Sequence, residues 1–181
     1  MADQINIPST GLWSTISTAL NSMFDIIFGR TGWAQYNDTQ YTEISPFSIL
    51  ADVDTLLPNN AGNTIDPQKP SDITSFYTGG KITGRNGDGI TIAVTLVATP
   101  TNANTSTVEV WFDIGGAIGP LFRRTLTFPK GAGVPRSINF TASGYTAATW
   151  EANGATAHIR ADNTADIHDI NYIITRTHKA R

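Results

Sequence analysis

Asn86-Gly-Asp-Gly-Ile-Thr-Ile-Ala-Val-Thr-Leu-Val-Ala98 is the stretch that decides the fold class. Ile90, Ile92, Val94, Leu96 and Ala98 alternate with Thr91 and Thr95, and Thr99 continues the second set. In an extended chain one face is then apolar and the other carries hydroxyls. The Asn-Gly-Asp-Gly in front is a strong turn signal. The same alternation recurs downstream. Val108, Val110, Phe112 and Ile114 share a face against Glu109, Trp111 and Asp113, and Phe122, Arg124, Leu126 and Phe128 alternate with Arg123, Thr125 and Thr127. Shorter runs follow at 136–142 (Ile138, Phe140) and 154–161 (Ala155, Ala157, Ile159). A last one spans 166–177, with Ile170, Tyr172 and Ile174 opposite Asn171, Ile173 and Thr175. Upstream, residues 33–42 read as extended but turn-prone, and 46–57 alternate through Phe47, Ile49 and Val53. Residues 58–80 carry three prolines and three glycines and read as a long surface loop with at most a short strand at 75–77. About eight short strands, broken by Gly, Pro and Asn and without a second long helix, predict an all-β antiparallel sandwich or barrel. Tyr145 to Trp150 is a candidate helical turn.

One helix precedes the strands. In residues 11–28, Leu12, Ile16, Leu20, Met23 and Ile27 recur at spacings of three and four, and Trp13, Phe24 and Phe28 widen the stripe. Ser9 or Thr10 suits the N-cap, Gly29 the left-handed stop, and Arg30 the C-terminal end of the dipole. The opposite face, Ser14, Ser17, Thr18, Asn21 and Ser22, is uncharged and a weak helix former, so the helix needs packing to persist. Residues 1–32 are therefore expected to be an arm and an amphipathic anchor helix, and 33–181 the β-domain. Left in water, each large side chain of the stripe forgoes roughly 1.5–3 kcal/mol of burial. Leu12, Trp13, Ile16, Leu20, Met23, Phe24 and Ile27 are the expected anchor, set against the chain's own sheet, sister helices or another protein.

The composition narrows the function. Of 181 residues, 12 are Lys or Arg and 15 are Asp or Glu, a net charge of −3, which argues against a nucleic-acid binder. Charged residues make up only 15% while threonine occurs 26 times, so the surface is neutral and rich in hydroxyls. The absence of cysteine excludes disulfides, thiolate metal sites and thiol nucleophiles. The N-terminus has no basic region of a signal peptide, and the apolar run Met23 to Phe28, interrupted by Asp25, is far short of the ~20 residues of a membrane span. The expectation is a soluble protein, not exported by that route, that meets neither membrane nor nucleic acid.

No constellation for catalysis stands out, and the chain reads as a non-enzyme without a cofactor or metal. His158 and His168, with Asp169, fall on or beside neighbouring late strands. A His–Asp pair can orient a base or bind a metal, but no third ligand stands at a recognisable spacing. Asp162 to Asp166 and Asp52-Val-Asp54 offer oxygen ligands, but the first lacks the Gly and distal Glu of a calcium loop, and both read as turns. Sequons at Asn37, Asn104 and Asn139 are the chance matches that so much threonine produces. Gly115-Gly-Ala-Ile-Gly119 and Lys130-Gly-Ala-Gly133 lack the following helix that phosphate binding needs. Arg123, Arg124, Lys130 and Arg136 form the basic cluster. Arg124 falls on the apolar face of its strand, where an Arg pairs with a carboxylate, faces a partner or lies at a solvated sheet edge. Trp33, Tyr36, Tyr41, Trp111, Arg123 and Arg124 are the candidate β-domain interface, aromatic and cationic anchors among uncharged polar groups.

Several phrases carry a resemblance. Trp33-Ala-Gln-Tyr-Asn-Asp-Thr-Gln-Tyr-Thr42, Leu57-Pro-Asn-Asn-Ala-Gly62, Lys81-Ile-Thr-Gly-Arg-Asn-Gly-Asp88 and Arg124-Thr-Leu-Thr-Phe-Pro-Lys-Gly-Ala-Gly133 resemble tailed-bacteriophage virion proteins. So does the opening Met1-Ala-Asp-Gln-Ile-Asn-Ile-Pro8. These are small jelly-roll proteins, similar to tumour-necrosis-factor-like trimers, found as head decoration (cement) proteins, head fibres and fibre tips. The resemblance spans most of residues 33–175. It implies an eight-stranded jelly roll, a homotrimer, and a virion protein made in the host cytoplasm and placed on the capsid surface. Its partners would be its own copies and the major capsid protein or other virion proteins. It carries over no catalytic residue. The leading expectation is a trimeric capsid decoration protein. The alternative is a tail- or head-fibre module that binds a receptor or host glycan through loop 58–80 and the aromatic residues. A cellular carbohydrate-binding module comes third.

Overall fold

The computed structural model describes residues 11–28, 31–128 and 131–180. Helix α1 (Leu12–Phe28) is followed by β1 (Gly32–Asn37), β2 (Phe47–Ile49), β3 (Thr55–Leu56), β4 (Asn63–Ile65), β5 (Tyr77–Thr78) and β6 (Lys81–Ile82). The long strands come next: β7 (Gly89–Pro100), β8 (Thr107–Asp113), β9 (Leu121–Thr127) and β10 (Arg136–Tyr145). Helix α2 (Ala148–Asn153), β11 (Thr156–Ala161) and β12 (Ala165–His178) complete the chain. The expected N-cap at Ser9 or Thr10, the Gly29 stop, Arg30 and Lys130 lie outside the described residues, as do the side chains of Leu12, Phe24, Ile27 and Phe28.

Two sheets form. The first runs β10-β7-β12-β1-β4, with β2 also pairing with β12, and the second runs β3-β11-β8-β9. The chain crosses from the first sheet to the second between β7 and β8, turns β8 into β9, crosses back to β10, then crosses to β11 and again to β12. All the ladders are antiparallel. This is a jelly-roll sandwich with an N-terminal helix. The alternation in the sequence produces it: Ile90, Ile92, Val94, Leu96 and Ala98 of β7 are buried, and so are Val108, Val110 and Phe112 of β8, Ile138 and Phe140 of β10, and Tyr172 and Ile174 of β12.

The segment 58–80 is not the free loop its composition suggests. It contains β4 and β5 and is tied down by side chains. Asn59 donates through Nδ2 to the Tyr36 carbonyl at 2.9 Å, and Tyr77 donates its hydroxyl to the Asn59 carbonyl at 3.0 Å. Tyr172, from β12, donates to the Leu57 carbonyl at 3.0 Å. Burial first, then the charge of Asp38, pushes the Tyr77 hydroxyl up to about 12, and burial holds that of Tyr172 well above its ordinary value. Both phenols therefore remain donors at neutral pH. A loop rich in Asn and Pro becomes ordered because its polar groups find buried partners.

Where the helix joins the sandwich, Gly32 lies against this segment: a Cβ there would run into the Gln68 carbonyl oxygen and lie 2.9 Å from Pro70 Cδ. Backbone cannot yield as a side-chain tip can. Gly32→Ala is expected to cost about 1–3 kcal/mol through overpacking. That lowers the midpoint of thermal unfolding by about 2–12 °C for a chain of this size, measured by circular dichroism.

Candidate functional site

The described surface divides into three regions. The first is α1. Trp13 is 63% exposed, Met23 55% and Ile16 44%, and Leu20 is half-buried. None of the four belongs to the sandwich core. Among the described helix side chains only Ser17 is buried, its hydroxyl donating to the Ser14 carbonyl at 3.1 Å. Of the described part of the expected anchor stripe, Trp13, Ile16 and Met23 are thus uncovered in the single chain, and Leu20 is partly covered.

The second region is the outer face of the first sheet. Its cross-strand rows follow from the register. One row is Ser143, Thr91, Thr175 and Trp33, the next Thr141, Ala93, Ile173 and Gln35, and the third Asn139, Thr95, Asn171 and Asn37. No charged side chain occurs in these rows. Asn171 Oδ1 is buried without a hydrogen-bond partner. A buried acceptor left unpaired costs about 1–3 kcal/mol, which a donor from outside the chain would recover. Trp33, half-buried at one margin, is the candidate anchor that belongs to this face. Sequons Asn37 and Asn139 sit in its rows.

The third region, the outer face of the second sheet, is charged and self-paired. Trp111 lies there, yet it is only 3% exposed. The His158 ring stacks on it at 5.5 Å and 16°, and the Arg123 guanidinium lies 4.8 Å from the indole centroid on the same residue. Arg123 pairs with Glu109 at 3.4 Å, Thr125 donates to the same carboxylate at 3.0 Å, and Arg160 pairs with Asp52 at 2.9 Å. The expectation that Trp111 is an accessible anchor is corrected: neighbours on β9 and β11 cover its ring by stacking.

Other candidates move as well. Tyr36 is a core residue, 2% exposed, and its hydroxyl accepts the Phe76 N–H at 2.9 Å, so it is no interface residue. Its position in β1 shares the inward parity of Ala34, which the extended reading of 33–42 did not resolve. Tyr41 packs on the core and on Phe47, 5.1 Å away. Arg124 stands opposite Val110 on the inward side, as the alternation says, but at the open edge of the sheet, where it is exposed. Phe122 leaves that face. It adopts φ 54° at a bulge, Leu121 pairs with Phe112 in its place, and the ring comes to rest on Gly144 of β10. Arg123 covers Trp111, and Arg136 is exposed at the start of β10.

The candidate chemistry disassembles. His158 and His168 stand on β11 and β12, in different sheets and on opposite outer faces, so they do not meet. His168 Nδ1 lies 3.2 Å from Asp169 Oδ2, off-line for a hydrogen bond. Asp162 accepts the N–H groups of Ser106 at 2.9 Å and Thr107 at 3.1 Å, and the Ser106 hydroxyl. Burial opposes its ionisation, but these bonds outweigh it and lower its pKa. Asp166 accepts from Ser48 at 2.6 Å. Gly115 to Gly119 connect β8 to β9. Among the described residues, no three His, Asp or Glu side chains gather to hold a metal. No described helix is long and apolar enough to cross a membrane.

A polar cluster that the sequence reading did not single out closes one end of the sandwich. Arg176, 1% exposed, binds Asp72 at 2.6 and 3.1 Å and Asp88 at 3.5 Å. Lys179 and Arg85 also pair with Asp72, at 2.8 and 3.0 Å, and Asp88 accepts the Ala180 N–H at 2.8 Å. The signal was present in the sequence: Arg176 shares the inward parity of Tyr172 and Ile174. Beside the cluster opens a cleft of about 370 Å³, walled by Ile73, Phe76 and Ile90. Its arginines are engaged with carboxylates: Arg176 ties Asp72, and with it segment 66–76, to β12, and Arg85 pairs with the same carboxylate.

No protein-family model matches the sequence, and no curated protein does. Among solved structures, Eiger TNF from S. frugiperda is similar over 84% of this chain and 96% of that one, with a TM-score of 0.53 and 8% identity. At that identity the likeness speaks for the fold, a jelly roll, which the strand order shows independently. The PRD1 vertex protein P5 aligns over 82% of this chain and 73% of its own, at 11% identity and a TM-score of 0.44. A chain of the T13 IBDV viral particle aligns over 96% of this one and 36% of its own, at 12% identity and a TM-score of 0.37.

Proposed function

We propose that the chain is a virion structural protein, a trimeric capsid decoration protein of a tailed bacteriophage that acts by binding and transforms no substrate. The observation that carries the reading is the charge-free centre of the first sheet's outer face, three rows bordered by His168 and Asp166. Such a face is unlike the rest of the surface, and depletion of charge marks the centre of protein interfaces. Copies of the chain meet there, and the trimer then engages the major capsid protein. Residues 1–32 act as arm and anchor. The resemblance in Trp33 to Thr42 and Lys81 to Asp88 supports the phage setting. The mechanism is mass action: a ligand that binds only the assembled shell, at a hundred times its Kd, stabilises it by about 2.7 kcal/mol per site.

The fibre reading is weaker at the site level. A sugar platform needs open aromatic faces, and Trp111 is covered on its sheet. The test is addition of the purified protein to expanded capsids. It is expected to co-sediment with them and to raise their melting temperature, and removal of residues 1–30 to abolish both effects. Binding to host glycan with indifference to capsids would overturn the proposal.

A further inference from the structure

Trp13, Ile16, Leu20, Met23 and Ile27 step along α1 by three, four, three and four residues. That is the a/d alternation of a helix that packs on other helices, with a mean period of 3.5. Trp13, Leu20 and Ile27 take the a positions, Ile16 and Met23 the d positions. The positions flanking the seam are Leu12, Ala19 and Ile26 on one side and Ser17 and Phe24 on the other. None is charged, so identical helices set side by side meet no repulsion. The described seam residues Trp13, Ile16 and Met23 are exposed in the single chain. We infer that α1 packs against the α1 helices of sister copies as a parallel, in-register bundle of three through this seam.

Two observations select that occupant, and the proposed trimer sets its direction. A strict 3-4 spacing suits a helix–helix seam. Leu at a with Ile at d, as in Leu20 and Ile16, favours three or four strands over two. A parallel arrangement follows from the sandwiches: copies that meet side by side through one face present their β1 entrances, and hence their helices, at the same end. This last step rests on the trimer proposed above. At 17 residues α1 is about 25 Å long, too short to associate well alone, so the sandwiches supply the effective concentration.

The chain has no cysteine, which makes the test clean. Full-length Ile16→Cys, Met23→Cys and Thr18→Cys variants, each shown to retain the wild-type circular dichroism, are oxidised at micromolar concentration. In a parallel in-register bundle each seam cysteine meets its own copy. The two seam variants are expected to give covalent dimers about tenfold faster than Thr18→Cys, which points away from the seam, because disulfide geometry demands close Cβ atoms. Sedimentation of the unmodified chain is expected to show a trimer. Equal rates at all three positions, or a monomer, would overturn the inference, and so would a trimer without seam crosslinks, in which α1 lies on its own sandwich or awaits the shell. Capsid binding separates this from the function: a crosslinking trimer that ignores capsids refutes decoration and leaves the seam, whereas a chain that coats capsids without seam crosslinks refutes the seam alone.

Discussion

Asp72→Asn is expected to lower the stability of the protein by about 3 kcal/mol, because it removes a carboxylate that pairs twice with the buried Arg176 guanidinium. Arg176 is 1% exposed, and Asp72 accepts from it at 2.6 and 3.1 Å. Asp88, at 3.5 Å, still faces the guanidinium, which keeps the loss at the lower end of the range for a broken buried pair. The midpoint of thermal unfolding should fall by about 6–12 °C. Arg176→Met combined with Asp72→Asn should cost less than the sum of the two single changes, because the groups form one network. A loss under about 1 kcal/mol in the single variant would show that water screens the pair as on an open surface.

The same cluster sets the response to acid. Hydrogen bonds from Arg176, opposed by burial and assisted by Lys179, hold the Asp72 carboxyl well below the usual carboxylate range. A carboxyl whose pKa is depressed on folding contributes stability that is complete above its unfolded value, about 3.9, and is lost as pH falls towards the folded one. Wild-type stability should therefore drop steeply below about pH 4. Asp72→Asn, which has no such proton to take up, should drop less steeply there. Asp162, also lowered, adds a slope of the same sign in both proteins. Urea unfolding at several values of pH between neutrality and strong acid measures both slopes.

Trp150→Ala is expected to cost about 3–5 kcal/mol, the usual loss for a large aromatic removed from a core. Trp150 is 2% exposed, sits in α2 and plugs the end of the sandwich between the sheets. Its Nε1–H donates to the Ile82 carbonyl at 3.0 Å. A Cβ at Gly84 would lie 2.5 Å from Thr146 Cγ2 and 3.3 Å from the Trp150 Cδ1, so the threonine methyl and the indole together fill the space that glycine leaves. The Ile82 carbonyl also accepts the Ala155 N–H at 2.8 Å, so it is not orphaned by the change and the cost is one of packing. Trp150→Phe should therefore retain more than half of the lost stability. The midpoint of thermal unfolding should fall by about 6–20 °C in Trp150→Ala, as followed by circular dichroism.

Much of the architecture was legible because alternation and helical period are local. The β7 pattern from Ile90 to Ala98 and the β8 pattern from Val108 to Phe112 became buried faces at those residues. The stripe from Trp13 to Met23 became a helix. The end of β9 was less legible. Phe122 sits at a left-handed bulge that shifts the pairing by one residue, and no local signal distinguishes that from continued alternation. The interface candidates were legible only in type. Trp33, Tyr36, Tyr41 and Trp111 are all aromatic, but Tyr36 points into the core and Trp111 lies under Arg123 and His158, while Trp33 stands in the charge-free face. Accessibility depends on what the next strand places beside a ring, and those neighbours are distant in the chain.

By itself, then, the order of residues determined the antiparallel sandwich, the leading amphipathic helix and the sparse charge, all properties of spacing and composition. Only the tertiary structure decided that segment 66–76 is pinned to β12, since Asp72 and Arg176 are 104 positions apart and meet through packing alone. It also separated a neutral outer face from a charged one, because pairing aligns rows from four different strands. Period is a property of neighbours along the chain, whereas a face is made of neighbours across it.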